Sequence, residues 1–326
     1  MNLLILSPGR RVDIVQYFKK EFKKIGGKVF TADMSIYAPA LYEGDEYFLL
    51  KKDFDALDKY VEDIIEICLK NDISYVITLI DPELVLLAEN RDKFEKNNII
   101  PIVSSKEIVN LTFDKYEFYK NLKDDLPLLP TYNEISVVKE EIKSGRLAYP
   151  IFAKIANGSG SAGIGKINNE LELDSYLGKD DYIFQPCVLY REYGCDIYFD
   201  MKTGKIVSYF IKHKLNMRSG ETDKAISVKN KKIEEIIMKL DSMAFFGPID
   251  MDVFEDIHGN FYVNEINPRF GGGYPHAYNS GVNFMEKICQ NIIGKENRKD
   301  FGNYQENLVM MKFNGTMFLN KDNLAK

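Results

Sequence analysis

The sequence is poor in the residues that build disulfide frameworks and structural zinc sites. Its 326 residues include four cysteines, and these form no Cys-x-x-Cys pair. The three histidines, His213, His258 and His276, lie far apart in the chain. Neither a disulfide framework nor a structural zinc site is therefore indicated, and we interpret the cysteines as packing residues.

Long apolar runs and clustered basic residues are missing as well. The apolar stretch at residues 1–6 meets Pro8 and Gly9 at once, which makes it too short for a signal peptide or a membrane span. The net charge is −6 and the basic residues are dispersed, so no nucleic-acid footprint is indicated. We expect a cytoplasmic protein with no nucleic-acid or membrane partner. At 45% hydrophobic residues, a chain of this length can form two or three packed units.

The first hundred residues alternate between strand and helix patterns. Apolar runs predict strands at residues 3–6, 28–32, 75–80 and 99–103, with residues at helical spacing between them. This order predicts a Rossmann-like parallel α/β sheet that binds ligands at the carboxyl ends of its strands. The turn at residues 7–11 lacks the Gly-x-Gly-x-x-Gly fingerprint, so a nicotinamide dinucleotide site is weakly supported.

A predicted β-hairpin carries a group of oxygen ligands. Two stretches that alternate in strand fashion, residues 249–255 and 261–266, flank a short turn. Side chains two apart in a strand share a face, so Glu265 and Asn267 point the same way, and Asp252 lies opposite them. Three hard oxygen donors suit Mg²⁺ or Mn²⁺ shared with substrate phosphates. A hairpin whose charges lie in water explains the same pattern.

A glycine-rich segment follows another predicted strand. The strand delivers Lys154, and four glycines follow within residues 158–165. Their backbone N–H groups can approach a polyphosphate closely, while Lys154 supplies a point charge. The P-loop pattern fails because Ile167 stands where a Mg²⁺-binding hydroxyl is required. A flexible surface loop is the alternative interpretation.

Taken in order, these features resemble the ATP-grasp family along nearly the whole chain. The resemblance implies a carbamoyl phosphate synthetase-like arrangement, in which a Rossmann-like pre-ATP-grasp domain precedes a two-lobed ATP-grasp fold. It implies residues 1–112 as the pre-ATP-grasp domain, 113–184 as the small lid subdomain, and 185–326 as the C-terminal subdomain with the metal and substrate site. A single ATP-grasp unit without a glutaminase segment argues against a complete carbamoyl phosphate synthetase.

The resemblance also assigns site residues. It implies that lysines, the glycine-rich lid, a hinge strand and a ribose-binding carboxylate hold ATP, namely Lys115, Lys154, Gly158, Ser159, Gly160, Ser161, Gly163, Gln185, Pro186, Cys187, Val188 and Glu192. The implied metal ligands are Asp252, Glu265 and Asn267. Ile155 and Gln185 depart from the common proline and glutamate of the family, but backbone contacts to adenine survive both changes.

Family chemistry implies an ATP-dependent carboxylate–amine ligase. A carboxylate attacks the γ-phosphate, an acyl phosphate forms, and an amine displaces phosphate to make a C–N bond. Protein groups mainly position the reactants and neutralise charge. The residues expected to do this are Arg269, Lys214 and Arg218, although Lys214 and Arg218 follow a strand and fit a solvated loop equally well.

The implied substrates are a small carboxylate, with an amino acid favoured, and an amine. The implied contacts come from a glycine-rich loop and from the N-terminal domain, namely Arg269, Gly271, Gly272, Gly273, Asp81 and Glu83. An equally good explanation for Glu83 is that it stabilises the first turn of a helix. A homodimer is compatible with the family. The alternatives are carboxyphosphate chemistry, a non-catalytic ATP-binding regulator and a nicotinamide-dependent oxidoreductase.

Overall fold

The computed structural model describes residues 1–53, 56–157, 163–188, 190–218 and 220–325. Within these ranges the chain forms one parallel sheet and two antiparallel sheets. None of the helices in this part of the chain has the length and apolar character needed to cross a lipid bilayer.

The N-terminal sheet has five parallel strands in the order β3-β2-β1-β4-β5. It confirms the parallel α/β sheet that the sequence predicts. The strands are β1 (Asn2–Leu6), β2 (Val29–Asp33), β3 (Glu46–Leu49), β4 (Ile73–Thr78) and β5 (Ile100–Pro101). The helices are α1 (Val12–Lys24), α2 (Leu57–Lys70), α3 (Asp81–Glu89) and α4 (Arg91–Glu95).

Apolar side chains cover both faces of this sheet. Helices α2 and α3 bury one face, and α1 packs on the other. The core under α1 continues into the C-terminal half of the chain, where the ring of Phe18 meets the edge of Phe270 at a centroid distance of 5.6 Å. This shared core holds the N-terminal domain against the rest of the molecule, so the loops after its strands can contribute to a joint site.

The middle of the chain forms a three-stranded antiparallel sheet in the order β7-β6-β8. Its strands are β6 (Ile151–Ile155), β7 (Gly165–Ile167) and β8 (Tyr182–Pro186), and they have a small core of their own. The helices of this region are α5 (Lys106–Phe113), α6 (Lys115–Leu122), α7 (Ile135–Lys143) and α8 (Glu170–Asp174). The predicted domain boundary between residues 184 and 185 divides β8.

The C-terminal half forms a six-stranded antiparallel sheet in the order β13-β12-β9-β10-β11-β14. Its strands are β9 (Arg191–Phe199), β10 (Ile206–Arg218), β11 (Glu221–Ser227), β12 (Gly247–Glu255), β13 (Phe261–Asn267) and β14 (Val309–Met311). The helices are α9 (Lys231–Lys239), α10 (Tyr274–Asn279) and α11 (Phe284–Ile292). The predicted hairpin is confirmed as β12 and β13, with Asp252 paired opposite Glu265.

Candidate active site

A cavity of about 550 Å³ lies where the three sheets meet. The N-terminal domain contributes the segment that follows β4, the three-stranded sheet contributes β6 and β8, and the six-stranded sheet contributes residues from β9 to β13. Both apolar and charged side chains line it. A cavity of this size and mixed character is typical of a small-molecule site.

The predicted hinge runs along the cavity at the end of β8, and three of its four residues line it. The remaining one, Cys187, donates its backbone N–H to the carbonyl of Pro150 at 3.3 Å. Gln185 is buried and donates from Nε2 to Thr131 Oγ1 at 2.9 Å. Its Oε1 has no hydrogen-bond partner among the described residues. A buried acceptor of this kind calls for a donor, which a ligand can supply.

Two partly buried lysines line the cavity on the side of the three-stranded sheet. Lys154 lies on β6 and donates from Nζ to Asn264 Oδ1 at 3.0 Å. Lys115 begins α6 and donates from Nζ to the carbonyl of Ala156 at 3.4 Å. Burial lowers the pKa of both ammonium groups, while the charge of Glu265 opposes that effect. Two desolvated cations in one cavity favour an anionic ligand such as a polyphosphate.

The glycine-rich lid is only partly described. Four of its predicted ATP contacts, Gly158, Ser159, Gly160 and Ser161, lie outside the described residues. Gly163 has a positive φ of 70°, a conformation that favours glycine. Its neighbour Ile164 lines the cavity.

Two lysine side chains on β10 cross Gly194 of β9 on their way to carboxylates. A Cβ at Gly194 would lie 3.0 Å from Cε of both Lys212 and Lys214. Lys214 Nζ lies 2.6 Å from Asp252 Oδ1 and 2.8 Å from Glu192 Oε1. Burial alone would lower the pKa of Lys214, but the two carboxylates outweigh burial and raise it. The glycine thus leaves room for both stems over β9, and Lys214 reaches across that strand to Asp252 on β12.

This arrangement corrects one expectation from the sequence. Lys214 and Arg218 were expected to follow a strand, with a solvated loop as the equal alternative, but both lie inside β10, which runs from Ile206 to Arg218. Lys214 is buried in the cavity wall, as an orienting cation would be. Arg218 is exposed and donates to Asn314 Oδ1 at 3.1 Å, and it is not among the side chains that line the described cavity.

The three predicted metal ligands, two carboxylates and one amide, lie on one wall of the cavity. Asp252, Glu265 and Asn267 all line it, and Asn267 Nδ2 donates to Glu265 Oε1 at 3.4 Å. Among the described residues, no three His, Cys, Asp or Glu side chains converge on a point that could hold a metal ion. Mg²⁺ commonly takes one or two carboxylates and completes its shell with phosphate oxygens. The donor set therefore fits a cation that arrives with a polyphosphate.

Arg269 is held by carboxylates at the end of the cavity nearest the N-terminal domain. It donates from Nε and Nη2 to both carboxylate oxygens of Asp81, at 2.8 and 3.1 Å, and its Nη1 lies 3.6 Å from Asp250. Burial would lower its pKa, but Asp81 and Asp250 raise it. This two-pronged contact holds the guanidinium plane in a fixed orientation.

Two residues of this region were missed by sequence reasoning. Asp250 lies two residues before Asp252 on β12, so the strand alternation that identified Asp252 could have found it. Arg11 follows the carboxyl end of β1, where ligands of parallel sheets bind, and donates to the carbonyl of Phe270 at 3.0 Å. Burial lowers the pKa of Arg11, and the nearby charge of Arg269 adds to the effect.

The glycine-rich loop after β13 is packed too closely for side chains. A Cβ at Gly271 would lie 2.4 Å from Asp250 Oδ1, and one at Gly273 would lie 2.7 Å from Lys212 Cε. A Cβ at Gly272 would lie 3.0 Å from the carboxyl carbon of Glu221. Gly272 and Gly273 line the cavity. The loop therefore brings bare backbone to the cavity surface, where a ligand can approach it.

Glu83 has a different role from the substrate contact that was considered for it. It is buried and accepts hydrogen bonds from Ser7 Oγ, Tyr60 and Thr78, and Lys52 Nζ lies 2.6 Å from its carboxylate. It is not among the side chains that line the described cavity, whereas Asp81 is. Glu83 thus cross-links β1, α2 and β4 beneath the site.

Comparison with known proteins gives two family matches and many similar structures. Residues 3–102 match the model described as PylC-like, N-terminal domain, and residues 112–273 match that of the ATP-grasp domain. A search of curated proteins found no match.

The similar structures extend over nearly the whole chain. The biotin carboxylase domain of 2-oxoglutarate carboxylase from Hydrogenobacter thermophilus, solved as a dimer with MgADP, ADP and bicarbonate, superposes with a TM-score of 0.74 and 17% identity. The match covers 94% of this chain and 73% of that one. N5-carboxyaminoimidazole synthetase from Staphylococcus aureus gives a TM-score of 0.74 and 18% identity over 95% of this chain and 81% of that one. At these identities the likeness establishes a shared fold.

Proposed function

We propose, because this chain belongs to the ATP-grasp superfamily, that it is an ATP-dependent ligase that joins a small carboxylate to an amine through an acyl phosphate. One observation carries the proposal. The partly buried Lys115 and Lys154 share a single cavity with Glu265, Asn267 and Arg269. The space between them suits a polyphosphate with its cation. Arg269 lies beside this space, where its guanidinium can contact the reacting phosphate or carboxylate.

The proposed nucleotide site follows the cavity from the hinge to the lysines. The backbone of residues 185–188 is assigned to adenine, Glu192 to the ribose, and Lys115 with Lys154 to the phosphates. Residues 158–165 are assigned to the phosphate lid, as the family resemblance implies. The buried Oε1 of Gln185, which has no partner among the described residues, supports a hydrogen-bond donor at this end of the cavity.

The metal would be held by Glu265 and Asn267, with Asp252 opposite them in the hairpin. When bound, Mg²⁺ would neutralise the charge of the phosphate oxygens. The protein groups hold and orient the reactants. Arg269 is fixed by Asp81 and can hold a carboxylate or phosphate oxygen in a defined direction, while the cavity walls exclude water from a reactive acyl phosphate.

The carboxylate and amine would meet between Arg269, the Gly271–273 loop and the segment after β4. Arg11 adds a second guanidinium to this end, and Asp81 and Asp250 add carboxylates. Mixed charge of this kind suits a substrate that carries both signs, such as an amino acid. Carboxyphosphate formation from bicarbonate is the second candidate, because the similar Hydrogenobacter domain was solved with bicarbonate.

Phosphate release tests the proposed function. The protein is mixed with Mg-ATP and either a pool of amino and carboxylic acids or bicarbonate with the amines alone, and the products are identified by mass. Release that requires both a carboxylate and an amine is expected, with one new amide for each phosphate. Release in the mixture of bicarbonate and amines, without any other carboxylate, would favour carboxyphosphate chemistry. Mg-ATP binding without any release would favour a regulatory protein.

We also assign residues 1–112, 113–184 and 185–326 to the pre-ATP-grasp domain, the lid subdomain and the C-terminal subdomain. The cytoplasm is the proposed location. A homodimer is proposed by analogy with the Hydrogenobacter domain, which was solved as a dimer.

A further inference from the structure

Lys212 and Lys214 are both buried, with 1% and 4% of their side chains exposed, but their ammonium groups lie in different surroundings. Lys212 and its partner Asp196 each expose only 1% of their side chains. A Cβ at Gly273 would lie 2.7 Å from Lys212 Cε, so the glycine lets the loop backbone pack close to the stem of this lysine. Lys212 is therefore a fixed part of the core.

Lys214, by contrast, borders the cavity. Its ammonium lies between Asp252, in the wall that is assigned to the metal, and Glu192, in the wall that is assigned to the ribose. The Glu192 side chain is 20% exposed and that of Asp252 11% exposed, so a ligand in the cavity can reach both carboxylates. The Lys214 ammonium thus lies between the carboxylate that is assigned to the metal and the carboxylate that is assigned to the ribose.

We propose that Lys214 is an exchangeable internal cation: it neutralises Asp252 and Glu192 in the nucleotide-free protein and leaves Asp252 when a divalent cation binds beside Glu265. The inference rests on the proposed metal and nucleotide site. It assigns Lys214 a role before the reaction, as the competitor that keeps a divalent cation out until the nucleotide arrives.

Electrostatics explains why a stand-in cation is needed. Glu192, Asp252 and Glu265 lie on adjoining strands around one partly desolvated cavity. Like charges around one cavity repel when water is excluded, so a positive charge among them stabilises the nucleotide-free protein. A lysine suits this use because its ammonium is a point charge on a flexible four-carbon stem.

The arriving ligand supplies both parts of an exchange. A divalent cation would take over the neutralisation of Asp252 and Glu265, and the phosphates that come with it would offer the displaced ammonium a new anionic partner. Gly194 gives the stem room to move, because no Cβ stands against Lys214 Cε at this position. Without nucleotide the displaced ammonium would lack an anionic partner, so Lys214 stays paired with Asp252 and opposes binding of the divalent cation.

Binding of Mn²⁺ alone, measured by electron paramagnetic resonance of the free ion, tests this exchange in the full chain without nucleotide. Lys214→Met keeps most of the stem and removes the ammonium. We expect this variant to bind Mn²⁺ at least about tenfold more tightly than the parent, because the competing charge at Asp252 is gone. Adding Glu265→Gln to Lys214→Met should abolish the gain.

Lys312→Met is the matched control. It also removes one ammonium that pairs with a carboxylate lining the cavity, since Lys312 Nζ lies 3.1 Å from Glu221 Oε2, but it leaves Asp252 untouched. Its Mn²⁺ affinity should equal that of the parent. An equal gain in both variants would assign the effect to net charge and overturn the exchange, and so would an unchanged affinity in Lys214→Met.

A crystal structure of the parent protein with MgADP covers the case in which Lys214→Met does not fold. Lys214 Nζ should then lie more than about 4 Å from Asp252, beyond the range of an ion pair. A retained contact overturns the proposal. Failure of the proposed function looks different, because the parent would then show neither stabilisation by Mg-ATP nor phosphate release.

Discussion

At the scale of the residue, glycines that lack a side chain determine which groups the charged residues and the backbone can reach. Gly194 has no Cβ, so Lys214 can cross β9 to reach Asp252. The glycines at 271–273 have none either, so backbone reaches the cavity. Neither feature carries charge or chemistry of its own. The reactive groups of the site are therefore arranged by residues that a search for catalytic side chains would pass over.

Glu265→Gln separates the catalytic interpretation of the hairpin from a structural one. The substitution keeps the volume of the side chain and removes a charged metal ligand, so phosphoryl transfer should fall at least about tenfold, equivalent to roughly 1.4 kcal/mol of transition-state stabilisation. The free energy of unfolding, measured with urea, should stay close to that of the parent.

Glu255→Gln is the control on the same hairpin. Glu255 accepts a hydrogen bond from Tyr193 at 2.8 Å and is not among the side chains that line the described cavity. It should retain parent turnover. Near-parent turnover in Glu265→Gln, once a substrate pair is known, would remove the assigned metal role.

His276 predicts a pH dependence of stability. Burial, together with the charge of Lys212, lowers the pKa of His276 from 6.5 to about 4. Above pH 6.5 the ring is neutral in the folded and the unfolded chain. As the pH falls from about 6.5 to about 4, the unfolded chain binds a proton that the folded chain does not, so the parent loses stability.

His276→Gln isolates this contribution. Its side-chain amide can still donate to the carbonyl of Leu308, which His276 Nε2 contacts at 2.9 Å, but it does not titrate. Urea unfolding at pH 7 and pH 5 should show a larger loss of stability in the parent than in the variant. Equal losses would mean that the ring is not held neutral by the fold.

At the scale of the element, the start of α6 links a helix cap to the nucleotide site. Asp114 accepts hydrogen bonds from the backbone N–H groups of Tyr116 and Glu117, at 2.9 and 3.0 Å, and the first helical residue is Lys115. Asp114→Ala should lower the free energy of unfolding by about 1 kcal/mol. It should also weaken Mg-ADP binding, measured by calorimetry, because Lys115 loses its fixed position.

Asn230→Ala is the corresponding control at α9. Asn230 caps that helix by accepting from Lys232 and Ile233, at 3.1 and 3.3 Å. A similar loss of stability with parent affinity for Mg-ADP is expected. If both variants lost affinity to the same degree, the effect would reflect general destabilisation and not the position of Lys115.

Elements with local signals were predictable, and those with distant partners were not. The alternating residues and the turn between them predicted the register of the β12–β13 hairpin, and the structure pairs Asp252 with Glu265 as expected. Strand β3 was missed because it is a four-residue edge strand with a partly exposed face. The charged end of β10 resembled a loop because the carboxylate partners of its lysines lie on β9 and β12.

At the scale of the whole molecule, the cavity belongs to no single domain. Asp81 comes from the N-terminal domain, Lys154 from the three-stranded sheet and Glu265 from the six-stranded sheet. Sequence motifs could identify each contribution separately. The ion pair between Arg269 and Asp81, 188 residues apart in the chain, could not be read from either segment alone.

A site built from three sheets should couple ligand binding to the stability of the entire fold. A ligand bound only by the folded state stabilises it by about 2.7 kcal/mol at one hundred times its Kd. Mg-ATP at millimolar concentration should therefore raise the melting temperature by several degrees, and NAD should leave it unchanged.

Lys154→Met tests the part that this lysine plays in the shift. The substitution keeps the stem of the side chain but removes a charge from the cavity, so most of the rise with Mg-ATP should be lost. The melting temperature without ligand should stay near that of the parent. A rise with NAD alone would contradict the assignment of this cavity to ATP. An undiminished Mg-ATP shift in Lys154→Met would contradict the assignment of Lys154 to the phosphates, because removing a cation that faces an anion should weaken binding.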